Sequence, residues 1–570
     1  MKNKEIAEIL SSLADILEIT GQDPFRVNAY RRVARIVDDL PTDVAELSAS
    51  GAITEVPGIG KGTAERIAEY LASGRIAAYE EAKRTIPAGL SELLLVPGLG
   101  PKTIGLLWKS LGVKSLSGLK RALRGRKILE LPGIGPKKVE NIEAGVRAHE
   151  SRSGRLTLGA VLPTAREVIG ALAAIQGVER ADLAGSVRRR RETIGDIDVL
   201  AASAKPAAVV RAFVKLPLVE EVLAAGTTKA SVRVAGALQI DLRVVKPGQY
   251  GAALMYFTGS KEHNVRLRGI AQEKGLKLNE YGLFKGAKAA AARTEAAVYE
   301  KLGLPLVPPE LREDRGEVEA AMAGRLPELL DGAQIRGDLH VHSNWSDGGS
   351  TIEEVARAAK ARGYSYVAIT DHTRSLGIAH GLSVERLERQ LEEITALNKR
   401  LRGFRVLSGS EVDILSDGRL DLPDAVLERL DVVVASIHSG FQQSEDRITG
   451  RIVSAVENPR VDIIGHPTGR LLGTRPAYAV DLGRVMEAAA KSGAALEINC
   501  YHERLDLNDV NARRAVELGV RLALGTDSHH VDQFWMMELG VATARRAWAG
   551  PASVLNTMPA AALLRHLSRG

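Results

Sequence analysis

A-G-S-V-R-R-R-R-E-T-I-G-D-I-D-V-L, residues 184–200, is the stretch whose reading decides the fold of the first half of the chain. Its end has strand character, and side chains two apart in a strand share a face, so Asp196 and Asp198 point the same way. Two carboxylates this close repel one another unless a cation lies between them. A third acid, Asp241, sits in L-Q-I-D-L-R-V-V (238–245), which also reads as a strand. Three acids on adjacent strands make a seat for two Mg²⁺ ions, an arrangement that activates an attacking hydroxyl and holds a triphosphate. Gly185-Ser186 predicts a small turn that cradles phosphate oxygens, and Arg188 and Arg189 follow where they neutralise charge on a leaving group. D-x-D alone occurs by chance in most chains; G-S, eight residues, then G-D-I-D is far more specific.

Upstream the chain reads as short helices. Ile6 to Ile19 has apolar residues at helical spacing, Asp23-Pro24 interrupts it, and Pro24 is predicted to open the next helix. One element then occurs three times: V-P-G-I-G-K at 56–61, V-P-G-L-G-P at 96–101 and L-P-G-I-G-P at 131–136. Gly58 and Gly60, Gly98 and Gly100, and Gly133 and Gly135 permit positive φ and a close approach to a ligand. The N–H groups opening each following helix face phosphate oxygens, and Lys61, Lys102 and Lys137 add charge. Such contacts position DNA without reading its sequence. Downstream, Ala181–Leu183, Asp196–Leu200, Ser231–Val234 and Leu238–Val245 predict strands separated by helices, an α+β body. Pro308-Pro309 and the charged run E-D-R-G-E-V-E predict a linker ending near Gly332.

From residue 336 onward short apolar strands alternate with helices: 367–370, 404–408, 432–436, 461–464, 495–498 and 522–525. That rhythm predicts a βα barrel or a close relative. Ten of the 12 histidines fall at or after His340, most in short motifs at strand ends. These are D-L-H-V-H-S-N-W-S-D-G (338–348), T-D-H (370–372), G-S-E-V-D (409–413), S-I-H-S (436–439), I-G-H-P (464–467) and G-T-D-S-H (525–529). Ligands at the C-terminal ends of barrel strands converge in space. His340 and His342 face one way if the strand runs through both; alternatively His342 stands at its very end. Histidine and carboxylate donors suit Zn²⁺, Mn²⁺ or Fe²⁺, and bridged ions lower a water's pKa for in-line attack on phosphate. His380, His502, His530 and His566 have less support and read as noncatalytic. Arg374, Arg470 and Arg504 lie just beyond the motifs, where they suit either a DNA backbone or plain solvent.

The bulk composition sets outer bounds. With 570 residues the chain has room for about three to five domains, and 45% hydrophobic content supplies several cores. A formal charge of +7 permits a nucleic-acid partner without establishing one. The single Cys500 excludes an internal disulfide framework and fits a reducing cytoplasm. The opening MKNKEIAEIL has no signal-like apolar stretch, and no run of eighteen apolar residues occurs, so no membrane span is expected.

With these motifs, residues 1–315 resemble the X-family DNA polymerases, the gap-filling repair class. The resemblance implies a helical domain on the downstream gap end, helix-hairpin-helix grips on DNA, and a palm with three metal-binding aspartates matching Asp196, Asp198 and Asp241. Gly185, Ser186 and Arg189 match the family's phosphate turn, and Y-F-T-G-S (256–260) the segment beside the incoming nucleotide. It implies that Tyr256 and Phe257 lie under the deoxyribose, that Gly259 and Ser260 complete the nucleotide contacts, that Asn264 reaches the base's minor-groove edge, and that Arg268 serves the template side. The family's 5′-phosphate contact falls on Arg32. Where several members carry a Schiff-base lysine this chain has Arg66, which stays protonated and is no amine nucleophile. Weak or absent lyase activity is expected, with Lys61 as the alternative amine.

The C-terminal motifs resemble the polymerase-and-histidinol-phosphatase (PHP) superfamily, whose nine ligands match His340, His342, Asp347, His372, Glu411, His438, His466, Asp527 and His529. That resemblance implies a seven-stranded βα barrel with up to three ions, Mn²⁺ or Zn²⁺, acting as a 3′→5′ exonuclease or end-processing enzyme. The expected domains are a gap-binding helical domain (1–85), hairpin fingers (86–150), palm (151–245), thumb (246–315), linker (316–335) and PHP domain (336–570). Expected partners are deoxynucleoside triphosphates and gapped DNA with a downstream 5′-phosphate, for a monomer in the bacterial cytoplasm, associated with the nucleoid during repair. Two rival readings are a polymerase whose PHP domain is a phosphatase for small phosphate compounds, and a non-catalytic DNA-binding scaffold.

Overall fold

Ile6, Leu10, Leu13 and Leu17 recur at helical spacing, and in the computed structural model they form the buried face of the helix Asn3–Thr20. Described are residues 3–568 apart from 41–43, 88, 95, 97, 126, 152–154 and 235–237. They form two units, Met1–Gly154 and Arg155–Gly570. In the first, Asp23 accepts from Phe25 N and Pro24 opens the helix Pro24–Asp39, as the Asp-Pro pair predicts. Each glycine motif is a turn leading into a helix: Lys61–Ser73, Pro101–Leu111 and Pro136–Ser151. The residue between the glycines is a buried plug each time: Ile59, Leu99 and Ile134. Its N–H bonds the carbonyl of Val56, Val96 or Leu131 at 3.0, 3.1 and 3.2 Å. Gly58, Gly98 and Gly133 stand at φ of 100°, 79° and 76°, which explains why all three copies carry glycine first. Pro97 of the second motif lies outside the described residues.

The second unit opens with two-residue strands β1 (Leu156–Thr157) and β3 (Thr193–Ile194), paired antiparallel. They flank a five-stranded sheet of β2 (Arg180–Leu183), β4 (Asp196–Ala202), β5 (Glu221–Ala225), β6 (Lys229–Val234) and β7 (Leu238–Val245). Its order is β2-β4-β7-β6-β5, with β4 and β7 parallel and Asp198 directly opposite Asp241. Along β7 buried and half-buried residues alternate, so the acids occupy the open face while Ile197, Ile240 and Leu242 fill the core. A three-stranded sheet follows: β8 (Lys277–Asn279), β9 (Gly282–Lys285) and β10 (Lys288–Ala291).

Seven parallel strands complete the unit: β11 (Gly337–Val341), β12 (Tyr366–Ile369), β13 (Arg405–Asp413), β14 (Val432–Ser436), β15 (Ile463–Ile464), β16 (Ala495–Asn499) and β17 (Leu522–Gly525). They pair in sequence order, and a parallel bridge from Val341 to Ser528 joins the first to the last. β11, β12, β14, β16 and β17 are buried throughout, as expected of parallel strands covered on both faces. This is the expected barrel.

The stretch 316–335, expected as a linker, is packed instead. It forms the helix Glu317–Met322, and Glu317, Val318 and Leu330 are fully buried, as is Arg312 just before the stretch. Its charges are spent on internal pairs: His263 Nδ1 lies 2.6 Å from Glu317, and Arg312 donates to Glu295 at 2.6 Å. Palm residues such as Leu162 and Ile194 share one apolar cluster with barrel residues such as Met537 and Leu539.

Candidate active sites

The palm cleft, roughly 740 Å³, is lined by nearly every nucleotide-contact residue expected from sequence. Gly185, Ser186, Arg189, Asp196, Asp198, Tyr256, Phe257, Gly259, Asn264 and Arg268 all reach its wall. Gly185 opens the turn at φ +54°, and a Cβ there would fall 1.9 Å from Asp198 Oδ2, so only glycine lets the turn meet the acidic strand. Ser260 instead caps the helix Lys261–Glu273, its hydroxyl accepting from His263 N at 3.2 Å. Asn264 donates to the Tyr256 carbonyl at 2.7 Å, and its Oδ1 is buried without a partner, an acceptor left over for a ligand. Tyr256 and Phe257 meet edge to face at 5.3 Å, and the Arg243 guanidinium lies 5.0 Å over the Phe257 ring.

Burial, then repulsion from Asp196 and Asp241, pushes the Asp198 carboxyl up to about 7 against the pull of Arg189. Burial and Asp241 raise Asp196 as well. Carboxylates crowded into this state fit a hard divalent cation. Asp241 sits beside the cleft rather than on its wall; Ser231 donates to its Oδ1 and Gln239 to its Oδ2 at 2.9 Å. Arg188 is not in the cleft. Its guanidinium forks onto Glu295, at 2.9 and 2.5 Å, and onto Thr258. Arg155, Arg191 and Lys261 also line the cleft; Arg191 stands in the opening motif without a role assigned to it, and no motif marks Arg155 or Lys261.

In the first unit the Arg32 side chain lies over the first hairpin: a Cβ on Gly58 would come 2.9 Å from Arg32 Nε. Arg66 stacks 5.5 Å from the Tyr30 ring and donates to the Gly62 carbonyl.

At the barrel's centre the nine expected ligands converge. His340 lies on β11 and His342 immediately past its end, with rings 5.2 Å apart. Three groups bring donor atoms within 4.8 Å of one another: His342, Asp347, His372 and His529; His340, His342 and Asp527; and His372, Glu411 and His438. His466 joins through Nε2, 2.8 Å from Glu411 Oε1. Several buried ring nitrogens there face carboxylates without a well-formed hydrogen bond: His372 Nδ1 and His340 Nε2 lie 2.9 and 3.4 Å from Glu411 Oε2, and His438 Nδ1 lies 3.4 Å from Asp413. Imidazole nitrogens and carboxylates crowded together in this number fit a multinuclear metal centre. Burial and the neighbouring His372 lower His342 to about 3, which keeps its ring neutral and able to ligate. Asp527 and His466 hold positive φ, 53° and 28°, strain of the kind concentrated at functional sites.

Sequence reading missed the residues behind these nine. Glu497, buried on β16, accepts from His340 Nδ1 at 2.7 Å, turning Nε2 inward, and from His466 N at 2.6 Å. Asn499 bridges Glu497 and Asp527 at 3.2 and 3.1 Å. Arg504 reaches the centre, with Nε 3.3 Å from Asp527, and Arg374 is exposed. Arg470, expected to face DNA or solvent, is instead bound to Glu192 at 2.7 Å and to the carbonyl of Arg504 at 3.0 Å. Among the described residues none of His380, His502, His530 and His566 belongs to a metal-binding group.

Comparison with known proteins agrees with this layout. Residues 1–76 match a helix-hairpin-helix domain, 90–147 a SAM-like helix-hairpin-helix tandem, 253–313 the DNA polymerase beta thumb, and 338–500 the PHP domain. Over 560 residues, 98% of this chain and 97% of the relative, the sequence is 40% identical to the DNA polymerase/3′-5′ exonuclease PolX of Bacillus subtilis (strain 168). The chain belongs to the PolX family. Partial relatives are also found: a probable phosphatase of Thermoanaerobacter sp. (strain X514) is 34% identical over 232 residues, 39% of this chain and 89% of its own length. One from Caldanaerobacter subterraneus is 36% identical over 204 residues, 34% of this chain and 75% of its own. The PolX fold therefore combines hairpin, polymerase-thumb and PHP parts in one chain, and no helix among the described residues is long and apolar enough to cross a membrane.

Proposed function

We propose that this PolX-family chain is a DNA-directed DNA polymerase that fills short gaps during repair, and that its PHP barrel is a metal-dependent 3′→5′ exonuclease or end-processing phosphoesterase. The observation that carries the polymerase reading is the convergence of the glycine-serine turn, Arg189, two aspartates and the Tyr256–Asn264 segment on one cleft. Asp196, Asp198 and Asp241 would hold two Mg²⁺ ions, which supply Lewis-acid stabilisation of the transferring phosphoryl group when bound. The chain's own groups do the positioning. Backbone N–H groups at Gly185-Ser186 and the Arg189 guanidinium take up triphosphate oxygens. Tyr256, Phe257 and Gly259 seat the sugar, leaving no room for a 2′-hydroxyl, while Ser260 caps the helix that carries Asn264. Asn264 stands at the base edge, where its remaining amide N–H donates to a minor-groove acceptor, and Arg268 serves the template.

The nine barrel residues would hold up to three Mn²⁺ or Zn²⁺ ions, which supply an activated water when bound. Glu497 fixes the His340 tautomer there, and Arg504 is placed to meet a substrate phosphate. Gly58, Gly60, Lys61, Gly98, Gly100, Lys102, Gly133 and Gly135 would grip the DNA backbone, while Arg32 takes the downstream 5′-phosphate. Arg66 leaves lyase activity weak or absent. The domain limits follow the segments given above, except that 316–335 is a packed segment rather than a linker, and the working form is a monomer in the cytoplasm, acting on nucleoid DNA.

A second reading makes the barrel a phosphatase for small phosphate compounds; the phosphatase relatives, each covering only about a third of this chain, favour it. The test is a labelled primer in a one-nucleotide gap, with and without deoxynucleotides, beside an assay of phosphate released from small esters. Primer extension and primer shortening support the first reading. Extension with phosphate release from esters and no shortening supports the second.

A further inference from the structure

The arginines that follow the phosphate turn are clamped from the barrel. Arg546 ends the barrel helix Met537–Arg546 and is buried. Its Nη1 donates to the Arg189 carbonyl at 2.7 Å and to Glu313 Oε1 at 2.9 Å, and its Nη2 to Asp509 at 2.6 Å. The same Glu313 oxygen accepts from Arg189 Nε at 3.1 Å. At the first turn of the same helix, Glu538 pairs with Arg190 at 3.2 Å, and Arg470 holds Glu192 at 2.7 Å.

Charge makes this arrangement more than packing. A carboxylate beside Arg189 competes with a triphosphate for its guanidinium, and in a buried site water screens that competition poorly. Arg546 shares the Glu313 oxygen and Arg191 lies 3.4 Å from the other, which divides the carboxylate's pull among three guanidinium groups; Arg546 also fixes the backbone from which Arg189 extends.

We propose that Arg546 is a positioning residue of the polymerase centre: acting through Glu313 and the Arg189 carbonyl, this barrel side chain sets where Arg189 stands in the nucleotide cleft. The barrel is then a structural part of the nucleotide site. The inference rests on the reading of Arg189 as a triphosphate contact.

The test uses the full chain and single-nucleotide insertion with the deoxynucleotide titrated, for Arg546→Met, Arg546→Lys, Arg189→Met and the double variant Arg546→Met/Arg189→Met. Arg546→Met is expected to raise KM for the deoxynucleotide by at least about tenfold, with the larger part of the loss in KM rather than kcat. Arg546→Lys keeps a cation for Glu313 but cannot bridge three acceptors, so its KM falls between parent and Arg546→Met. Exonuclease turnover is expected to stay within about twofold of the parent, because Arg546 touches none of the nine barrel ligands; that readout also reports folding of the barrel. In the Arg189→Met background the methionine at 546 is expected to add nothing further. An unchanged KM in both Arg546 variants overturns the inference, as does a full additional increase in the double variant. Should Arg189→Met itself leave KM unchanged, the triphosphate reading of Arg189 falls, which is a separate result.

Discussion

At the scale of single residues, the barrel centre depends on groups that do not themselves face a metal. Glu497→Gln keeps the shape of the side chain but replaces an anionic acceptor of His340 Nδ1 with a neutral amide. Metal affinity is expected to fall by roughly 10–100-fold, read by metal titration, while primer extension is retained. An affinity unchanged from the parent would contradict the role given to Glu497. In the palm, Gly185→Ala drives a methyl into Asp198 Oδ2 at a positive φ. Insertion is expected to drop by about a hundredfold or more, with exonuclease activity intact. The nine barrel residues that converge were legible because histidines and acids clustered at strand ends seldom serve packing. Glu497 was not, because A-L-E-I reads as an ordinary core strand; the available signal was a charged residue inside an apolar run. Arg188 and Arg189 are chemically alike in sequence, and only the positions of Glu295 and Glu313 separate a strut from a cleft residue.

At the scale of elements, the hairpins and the run around Glu313 give two further expectations. Lys61→Gln and Lys102→Gln remove charges beside two hairpins that have the same internal hydrogen bond. Each is expected to weaken DNA binding evenly across sequences and to flatten the salt dependence by about one unit of slope, measured as log affinity against log salt. Loss confined to one sequence would point to base contacts instead.

Burial alone would raise Glu313, but Arg546, Arg189, Arg191 and Arg315 hold it down at about 2, against an ordinary 4.5. A carboxyl that binds its proton more weakly when folded adds stability that is complete above its unfolded value and lost as pH falls towards its folded one. Glu313→Gln is therefore expected to cost a few kcal/mol at neutral pH, with the difference from the parent narrowing as pH drops below about 4.5, measured by denaturant unfolding. A difference that stays constant with pH would contradict this. The run E-D-R-G-E-V-E read as a linker because local charge usually means solvent; its partner Arg546 lies 233 residues away, beyond any local pattern. The strands of the barrel and palm were legible from alternation and apolar runs. Glu221–Ala225 was not, since three of its five residues are exposed and it shows no clear period.

At the scale of the whole molecule, the palm cleft and the barrel's histidine–carboxylate groups lie in one unit that shares one apolar cluster, yet no residue belongs to both. The buried histidines and carboxylates whose donor atoms cluster in the barrel imply that metal occupancy stabilises the fold. Chelation is expected to lower the melting temperature of the full chain by several degrees, with recovery on adding Mn²⁺ or Zn²⁺. The same melting temperature with and without metal would contradict that.

The central claim is that polymerisation and primer shortening are carried by two separate centres. The most direct measurement follows a 5′-labelled primer in a one-nucleotide gap with a downstream 5′-phosphate, in Mg²⁺ or Mn²⁺, for Asp198→Ala and His342→Ala. The expected result is a crossover: Asp198→Ala loses extension and keeps shortening, and His342→Ala loses shortening and keeps extension. Loss of both activities in either variant, or shortening that survives His342→Ala, would contradict it.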